Sequence, residues 1–356
     1  MKKLIYKLLK KIGLFNILKQ LKIDYISKFK RDINIEFINL SNMSYKNAGN
    51  QLAIQYKNDI LQNLPSSYDK KTILAYEKLK KIDKNFIDEL ESITNNLGID
   101  KYLLLSKELA FEAESCTSFA LKNNTNKIII GQNLDLGYNG KDLIVKKYKD
   151  YITIGLKSHP LWSTVGINKF GITYSGSSVC SQKMGGSVLP SILNSKIILS
   201  NAQSLDDVIN FFANNKFYVG NDTGSYIFSD NEKILYIECD AKNFYYEYKN
   251  LAYTTNKFIN MVDNNLFINQ HYKNDAIKRE IFFNKTLNNI DKNIDSAIKL
   301  ILSHDAHICA HSIDTARYTT CSIIIDKSNK KFYFTKQLPC KLRNINKWLK
   351  IDLDFK

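Results

Sequence analysis

The sequence is poor in the residues that mark several classes of protein. It has only 14 glycines and 4 prolines among 356 residues, which excludes a collagen-like or linker-like composition. No apolar run approaches the roughly 18 residues that a membrane span needs. The six cysteines are scattered without a CxxC pair, so neither a disulfide scaffold nor a zinc ribbon is indicated. We therefore expect reduced thiols, a cytoplasmic location and enough apolar residues for a sizeable core.

Acidic residues are too few to balance the basic ones, and the excess is concentrated at the N-terminus. The formal charge is 51 − 35 = +16. Residues 1–31 carry ten basic groups against Asp24 alone, a balance of +9 that leaves +7 for the other 325 residues. This basic amphipathic helix predicts either peripheral contact with an anionic membrane or a helix docked on the chain's own core. No nucleic-acid-binding motif accompanies the charge, so no nucleic-acid partner is expected.

The chain changes character at Cys116. From about 36 to 115, apolar residues recur at spacings of three and four, which predicts helices. After Cys116, ten short runs rich in β-branched and aromatic residues predict mostly antiparallel strands. Helical stretches at about 187–215 and 273–304 interrupt them, and this order indicates an α+β fold. The predicted units are a basic helix (1–31), a helical segment (32–115) and a strand-rich domain (116–356).

Cys116 opens the first predicted strand, and Asp135 ends the second. They stand in the motifs CTSF (116–119) and GQNLD (131–135). An isolated cysteine is more often a small buried apolar group. These motifs, with others in consistent order over about 36–345, nevertheless resemble the isopenicillin-N acyltransferase family of self-cleaving N-terminal-nucleophile hydrolases. The resemblance implies a four-layer α/β/β/α sandwich of two antiparallel sheets, preceded by a mostly helical pro-segment.

The resemblance also implies that the chain is cut between Ser115 and Cys116, so that Cys116 becomes an N-terminal nucleophile. A thiol of pKa about 8.5 is mostly protonated at neutral pH, and an α-amine of pKa about 7.7 to 8.0 is a matched base. The enzyme would be a cysteine acyltransferase or amidohydrolase that takes an acyl group from a small-molecule amide or thioester. It would pass that group to an amine or water. No cofactor is needed, since nucleophile, base and oxyanion donors are all protein groups.

Four further residues complete the implied site. Asp135 would accept a hydrogen bond from the α-ammonium, and Asn256 would donate to the tetrahedral oxyanion. Asn168 would help to polarise the scissile carbonyl. Arg317 would steady the surroundings of the nucleophile or bind a substrate carboxylate. From the residues alone, both asparagines are equally typical of turns, and Arg317 of a salt bridge with Asp314.

Two other functions remain open from the sequence. His304, His307 and His311 cluster near Asp305 and Cys309, and in a helix the spacing from 307 to 311 would place two imidazoles on one face, a zinc-binding geometry. That pattern lacks the glutamate of an HExxH motif, but it permits a zinc-dependent hydrolase. A noncatalytic protein of the membrane surface is the other alternative.

Overall fold

The structure is a computed structural model that describes residues 35–110, 116–136, 142–179, 191–214, 224–240, 243–261, 270–310, 318–335 and 339–355. Its helices are α1 (Tyr45–Leu61), α2 (Lys70–Ile82), α3 (Lys84–Leu97), α4 (Lys101–Leu109), α5 (Ser191–Asn201), α6 (Leu205–Asn214), α7 (Gln270–Thr286) and α8 (Ile294–Ile301). Its strands are β1 (Ile35–Asn39), β2 (Cys116–Lys122), β3 (Ile128–Leu136), β4 (Leu143–Lys147), β5 (Tyr151–Leu156), β6 (Val165–Asn168), β7 (Thr173–Ser178), β8 (Gly224–Ser229), β9 (Ile234–Cys239), β10 (Phe244–Lys249), β11 (Leu251–Thr254), β12 (Tyr318–Asp326), β13 (Lys331–Phe334) and β14 (Leu349–Asp352).

The strands form two sheets. The eight-stranded sheet has the order β1-β4-β5-β6-β7-β8-β9-β10, and the six-stranded sheet has the order β11-β2-β3-β12-β13-β14. Every described pairing is antiparallel except that of β1 with β4, which is parallel. The strand that begins at Cys116 therefore lies inside the six-stranded sheet, with β11 on one side and β3 on the other.

The sheets are the two inner layers of the fold. They pack face to face, since β2 contacts β7 and β8 while β11 contacts β8 and β9. Helix α5 packs on β5, β6 and β7 of the eight-stranded sheet, and α6 packs on its β10 edge strand. Helix α8 covers β3 and β12 of the six-stranded sheet, and α7 stacks Phe283 between Phe119 and Tyr253 of its β2 and β11. This is the four-layer α/β/β/α sandwich that the resemblance implies.

Strand β2 is buried on both faces from Cys116 to Leu121, as a strand between two layers must be. Phe119 and Leu121 belong to the core shared with α7 and α8, whereas Ala120 belongs to the core between the sheets. Phe119 has room because its partner in β3 is Gly131, where a Cβ atom would lie 2.3 Å from the ring. Alternate side chains of β2 therefore face either the helices α7 and α8 or the eight-stranded sheet.

The segment before Cys116 docks on the eight-stranded sheet and on α5. Strand β1 extends that sheet by pairing with β4. The N-cap of α3 makes a second contact, since Asp83 accepts a hydrogen bond from the backbone N–H of Phe86 at 3.0 Å. The other oxygen of Asp83 accepts from Ser200 and Asn201 of α5, each at 2.9 Å. One carboxylate thus caps an upstream helix and holds it to a downstream one.

Buried charges lie in the same contact. Glu89 of α3 and Lys196 of α5 form an ion pair at 2.7 Å with side chains 0% and 2% exposed. The Tyr148 hydroxyl donates to the same oxygen of Glu89 at 2.9 Å. Burial raises the pKa of Glu108 in α4 to about 8 and lowers the pKa of Lys146 in β4 to about 7. Charges this deep require partners, so the upstream helices and the sheet are matched to each other.

All ten predicted strand segments contain strands, and the helical prediction for 36–115 is confirmed over its described residues, 36–110, apart from β1. Of the other stretches predicted as helical, 187–215 contains α5 and α6, and 273–304 contains most of α7 and all of α8. The Ser204 hydroxyl accepts a hydrogen bond from the Asp207 N–H at 3.2 Å and caps α6. None of the helices in the described ranges is long and apolar enough to cross a membrane. The basic helix predicted for 1–31 lies outside those ranges.

Candidate active site

Cys116 is the first residue of β2 and pairs with Leu134 of β3. Its side chain is 4% exposed and belongs, with Leu134 and Ala120, to the core between the two sheets. Neighbouring side chains on a strand point to opposite faces. Thr117 is therefore on the outer face of the six-stranded sheet, toward α7, while the Cys116 thiol is on the inner face.

A buried guanidinium organises the outer face beside Cys116. Arg279 of α7 is 0% exposed and forms an ion pair with Asp135 through Nη2 at 2.9 Å. Its Nη1 donates to Thr117 Oγ1 at 2.6 Å and to Asn256 Oδ1 at 3.2 Å. Its Nη2 also donates to the His307 carbonyl oxygen at 2.8 Å. One side chain therefore joins two predicted site residues, Asp135 and Asn256, to the neighbour of the predicted nucleophile.

Asp135 is fixed from two sides. Its Oδ2 accepts the Arg279 hydrogen bond, and its Oδ1 accepts one from Thr319 Oγ1 at 2.6 Å. The residue follows Leu134, the strand partner of Cys116, and by alternation its carboxylate lies on the face opposite the thiol.

Asn256 connects the two sheets at the end of β11. It adopts a left-handed backbone conformation with φ 69°, which asparagine tolerates better than most residues. Its Nδ2 donates to the Ser178 carbonyl oxygen at 2.9 Å, and its backbone N–H donates to Ser177 Oγ at 3.4 Å. With Oδ1 held by Arg279, the amide orientation is fixed, and one of the two Nδ2 protons remains for another acceptor.

Asn168 is not brought to this cluster. Its Nδ2 donates to the carbonyl oxygens of Leu199 and Ala202 at 3.2 and 2.7 Å, and its Oδ1 accepts from the N–H groups of Phe170 and Ile172. These bonds use both amide protons. Asn168 thus closes the β6–β7 turn and anchors it to the end of α5, and its catalytic role stays a prediction.

Arg317, Ser115 and His311 lie outside the described residues. The guanidinium at the centre of the described network is Arg279, which the sequence analysis did not single out. One signal was present, because arginine occurs only four times in this lysine-rich chain. An arginine on a helix that also carries apolar residues predicts a buried arginine, and a buried arginine almost always has an acidic partner.

The histidine cluster differs from the predicted one. Residues Asp305–His307 form a single 3₁₀ turn, and Ala306 and His307 have φ values of 52° and 58°, so His307 does not lie on an α-helix as the prediction required. His307 Nδ1 instead contacts Asp275 at 2.8 Å. The structure therefore does not support a zinc-hydrolase site that includes both His304 and His307.

His304 gathers with two cysteines instead. The ligand atoms of His304, Cys309 and Cys340 all lie within 4.8 Å of one another. A hydrogen bond with Cys340 raises the pKa of His304, and a hydrogen bond with Cys340 together with burial raises that of Cys309 well above its usual range. These three groups are the only set of metal-ligating side chains that the described residues bring together in this way.

No curated protein matches the chain, whereas several solved structures do. Among solved structures, it is similar to penicillin V acylase from Agrobacterium tumefaciens, with 10% identity over 62% of this chain and 82% of that one and a TM-score of 0.37. It is also similar to a mutant of conjugated bile acid hydrolase from Clostridium perfringens, with 13% identity over 67% of this chain and 92% of that one and a TM-score of 0.42.

The family of this chain is shown by a family model that matches its sequence. The family model described as acyl-coenzyme A:6-aminopenicillanic acid acyl-transferase matches residues 121–339, more than half of the chain. The match contains Asp135, Asn256 and Arg279, and it begins shortly after Cys116. The chain therefore belongs to the acyl-coenzyme A:6-aminopenicillanic acid acyl-transferase family.

Proposed function

We propose that this protein is a self-activating cysteine acyltransferase or amidohydrolase that forms an acyl-enzyme on Cys116. The observation that carries the proposal is the Arg279 network, which ties Asp135 and Asn256 to Thr117, the residue next to Cys116. A cysteine with a purely structural role would not require a buried ion pair beside it. Such pairs are costly to bury and are retained where position matters.

Activation begins with the thiol of Cys116. The sulfur adds to the carbonyl carbon of Ser115, the C–N bond breaks, and the acyl group moves from nitrogen to sulfur. Water then hydrolyses this thioester, which releases the Ser115 carboxylate, restores the thiol and leaves a free α-amine on Cys116. The products are fragments 1–115 and 116–356.

The new amine acts as the base in acyl transfer. It takes the thiol proton, and the thiolate attacks the carbonyl carbon of an amide or thioester substrate to give a tetrahedral oxyanion. The oxyanion collapses, the leaving amine or thiol takes the proton, and an acyl thioester remains on Cys116. Water or an acceptor amine attacks that thioester and regenerates the enzyme.

Asp135, Asn256 and Arg279 have separate roles in this scheme. Asp135 accepts a hydrogen bond from the α-ammonium, which suits a carboxylate on the face opposite the sulfur. Asn256 offers its second Nδ2 proton to the oxyanion. Arg279 touches neither reacting atom and is a positioning residue that fixes both side chains. Arg317 remains a predicted site residue for the substrate or for the surroundings of the nucleophile.

Intact-mass analysis of the purified full chain tests the proposal. We expect two fragments that break before Cys116 in the wild type, and a single uncut chain in Cys116→Ala. The matched control is Cys239→Ala, which removes another buried free thiol from a strand; it should be cut like the wild type. Full-length wild-type protein in which Cys116 resists alkylation would contradict the proposal.

Activity assays then separate hydrolysis from transfer. The names of the family and of the similar structures suggest three probes: penicillin V, a conjugated bile acid, and an acyl-coenzyme A with an acceptor amine. We expect turnover of at least one amide or thioester by the cut wild type and none by Cys116→Ala. A protein that works through a free thiol also fits a reducing compartment such as the cytoplasm, where the basic segment 1–31 would meet anionic lipid.

A further inference from the structure

We propose that His304, Cys309 and Cys340 form a binding site for Zn²⁺ that holds the segment 303–310 to the turn Pro339–Lys341. The proposal does not rest on the chemistry of Cys116. Two sulfurs and one imidazole nitrogen are the ligand types that Zn²⁺ prefers over harder cations. All three side chains belong to described residues, and neither cysteine is in a disulfide.

The geometry needs only a small adjustment. With Zn–S distances of about 2.3 Å and a Zn–N distance of about 2.0 to 2.1 Å, tetrahedral ligands lie about 3.5 to 3.8 Å apart. The three ligand atoms are already within 4.8 Å of one another, so no pair needs to close by more than about 1.3 Å. Cys309 is buried, Cys340 half-buried and His304 exposed, which leaves an entry path and a fourth position for water.

The fold around Cys309 is strained and tightly bonded. The Cys309 N–H donates to the Ser303 carbonyl oxygen at 2.7 Å, which closes the segment into a loop. Within that loop, Ala306 and His307 both have positive φ, a conformation that is strained for residues other than glycine. Strain of this kind persists only where surrounding contacts impose it, and a bound metal would be such a contact.

This loop leads directly to the candidate active site. The His307 carbonyl oxygen accepts from Arg279 at 2.8 Å. Ala310, which follows Cys309, donates its N–H to Thr319 Oγ1 at 2.7 Å, and the same hydroxyl donates to Asp135 at 2.6 Å. A metal on His304 and Cys309 would therefore rigidify a segment that positions Arg279 and Asp135, without touching the reacting atoms.

Titration with Co²⁺ as a spectroscopic probe, followed by displacement with Zn²⁺, tests the site. The protein is the full chain with Cys116→Ala, freed of metal by a chelator and kept reduced, so that failure of the proposed catalysis cannot affect the result. We expect one Co²⁺ per chain with thiolate-to-cobalt charge-transfer absorption. Zn²⁺ should raise the unfolding temperature and slow amide exchange in 303–310 at least tenfold.

Single substitutions decide which residues bind. Cys340→Ser and His304→Gln should each weaken binding by more than about 100-fold, because even an outer partner of a ligand is worth 10 to 100-fold. They alter partly exposed positions, so they remain decisive if Cys309→Ser fails to fold. Two controls should bind like the parent: Cys239→Ser and His307→Gln. No stoichiometric metal in the parent, or undiminished binding in Cys340→Ser and His304→Gln, would overturn the proposal.

Discussion

Removal of one partner from the buried ion pair between Glu89 and Lys196 should cost several kcal/mol, because the other charge would remain buried without it. At 2.7 Å and an effective dielectric constant of 20, the Coulomb attraction is about 6 kcal/mol. Desolvation offsets most of this, but removal of one partner strands the other charge, which costs about 3 to 5 kcal/mol. Because Tyr148 still donates to Glu89, we expect the lower end, about 3 kcal/mol, for Lys196→Met.

Urea unfolding in the Cys116→Ala background measures this loss on a single uncut chain. The matched control is Lys101→Met, which breaks an ion pair with Glu91 of similar length, 2.9 Å, whose side chains are 32% and 38% exposed. That substitution should cost less than about 1 kcal/mol. The double variant Glu89→Gln/Lys196→Met should lose less than the sum of its single variants, because neither charge is stranded. Equal losses for Lys196→Met and Lys101→Met would refute the reasoning, since burial would then have no influence.

Three further predictions concern the site and the charge cluster. Arg279→Lys keeps the charge but cannot donate to four groups at once. We expect the free energy of unfolding in urea to fall by about 2 to 4 kcal/mol and self-cleavage, followed by intact mass, to slow. Unchanged cleavage would contradict the positioning role of Arg279. Asn256→Gly keeps the left-handed backbone and removes the amide, so turnover should fall about 10² to 10³-fold. The lost hydrogen bonds to Ser178 and Arg279 should cost about 1 to 3 kcal/mol of stability, and a fall in turnover only in Asn256→Ala, with its strained backbone, would point to a structural role. Burial raises the pKa of Glu108 from 4.5 to about 8, so between pH 5 and 7 the folded state keeps a proton that the unfolded state has lost. The free energy of unfolding should therefore fall with rising pH by up to about 1.4 kcal/mol per pH unit. Glu108→Gln should remove this pH dependence, and an equal dependence in wild type and Glu108→Gln, measured by urea unfolding at pH 5, 6 and 7, would contradict the prediction.

The strand pattern after Cys116 was predictable because each strand there carries its own local signal. The strands within runs such as KIIIGQNLD and KILYIECD are buried along their whole length, so their apolar residues are consecutive or alternate clearly. Three strands were missed, β1, β4 and β14, and each is only four or five residues long. Of these, β1 and β14 are edge strands that are only partly buried. Pairing with a distant strand, rather than intrinsic preference, makes such segments strands.

The candidate site was predictable only in part, for a similar reason. The spacing of Cys116 and Asp135 on neighbouring strands is a local property, and the structure places the two residues accordingly. The contact between Arg279 and Asp135 joins residues 144 positions apart, and nothing in the local pattern around either indicates it. The local sequence around Asn168 does not separate a turn asparagine from a catalytic one, because both share the same signal.

The parallel pairing of β1 with β4 would hold the two fragments of a cut chain together. If the fragment that contains β1 left, the backbone N–H and C=O groups along one side of β4 would lose their partners, and an exposed edge strand of this kind pairs with other chains. Production of 116–356 alone should therefore yield insoluble or self-associated material, and co-production with 1–115 should rescue it. The upstream piece would then act as a permanent subunit of the mature protein rather than as a discarded leader.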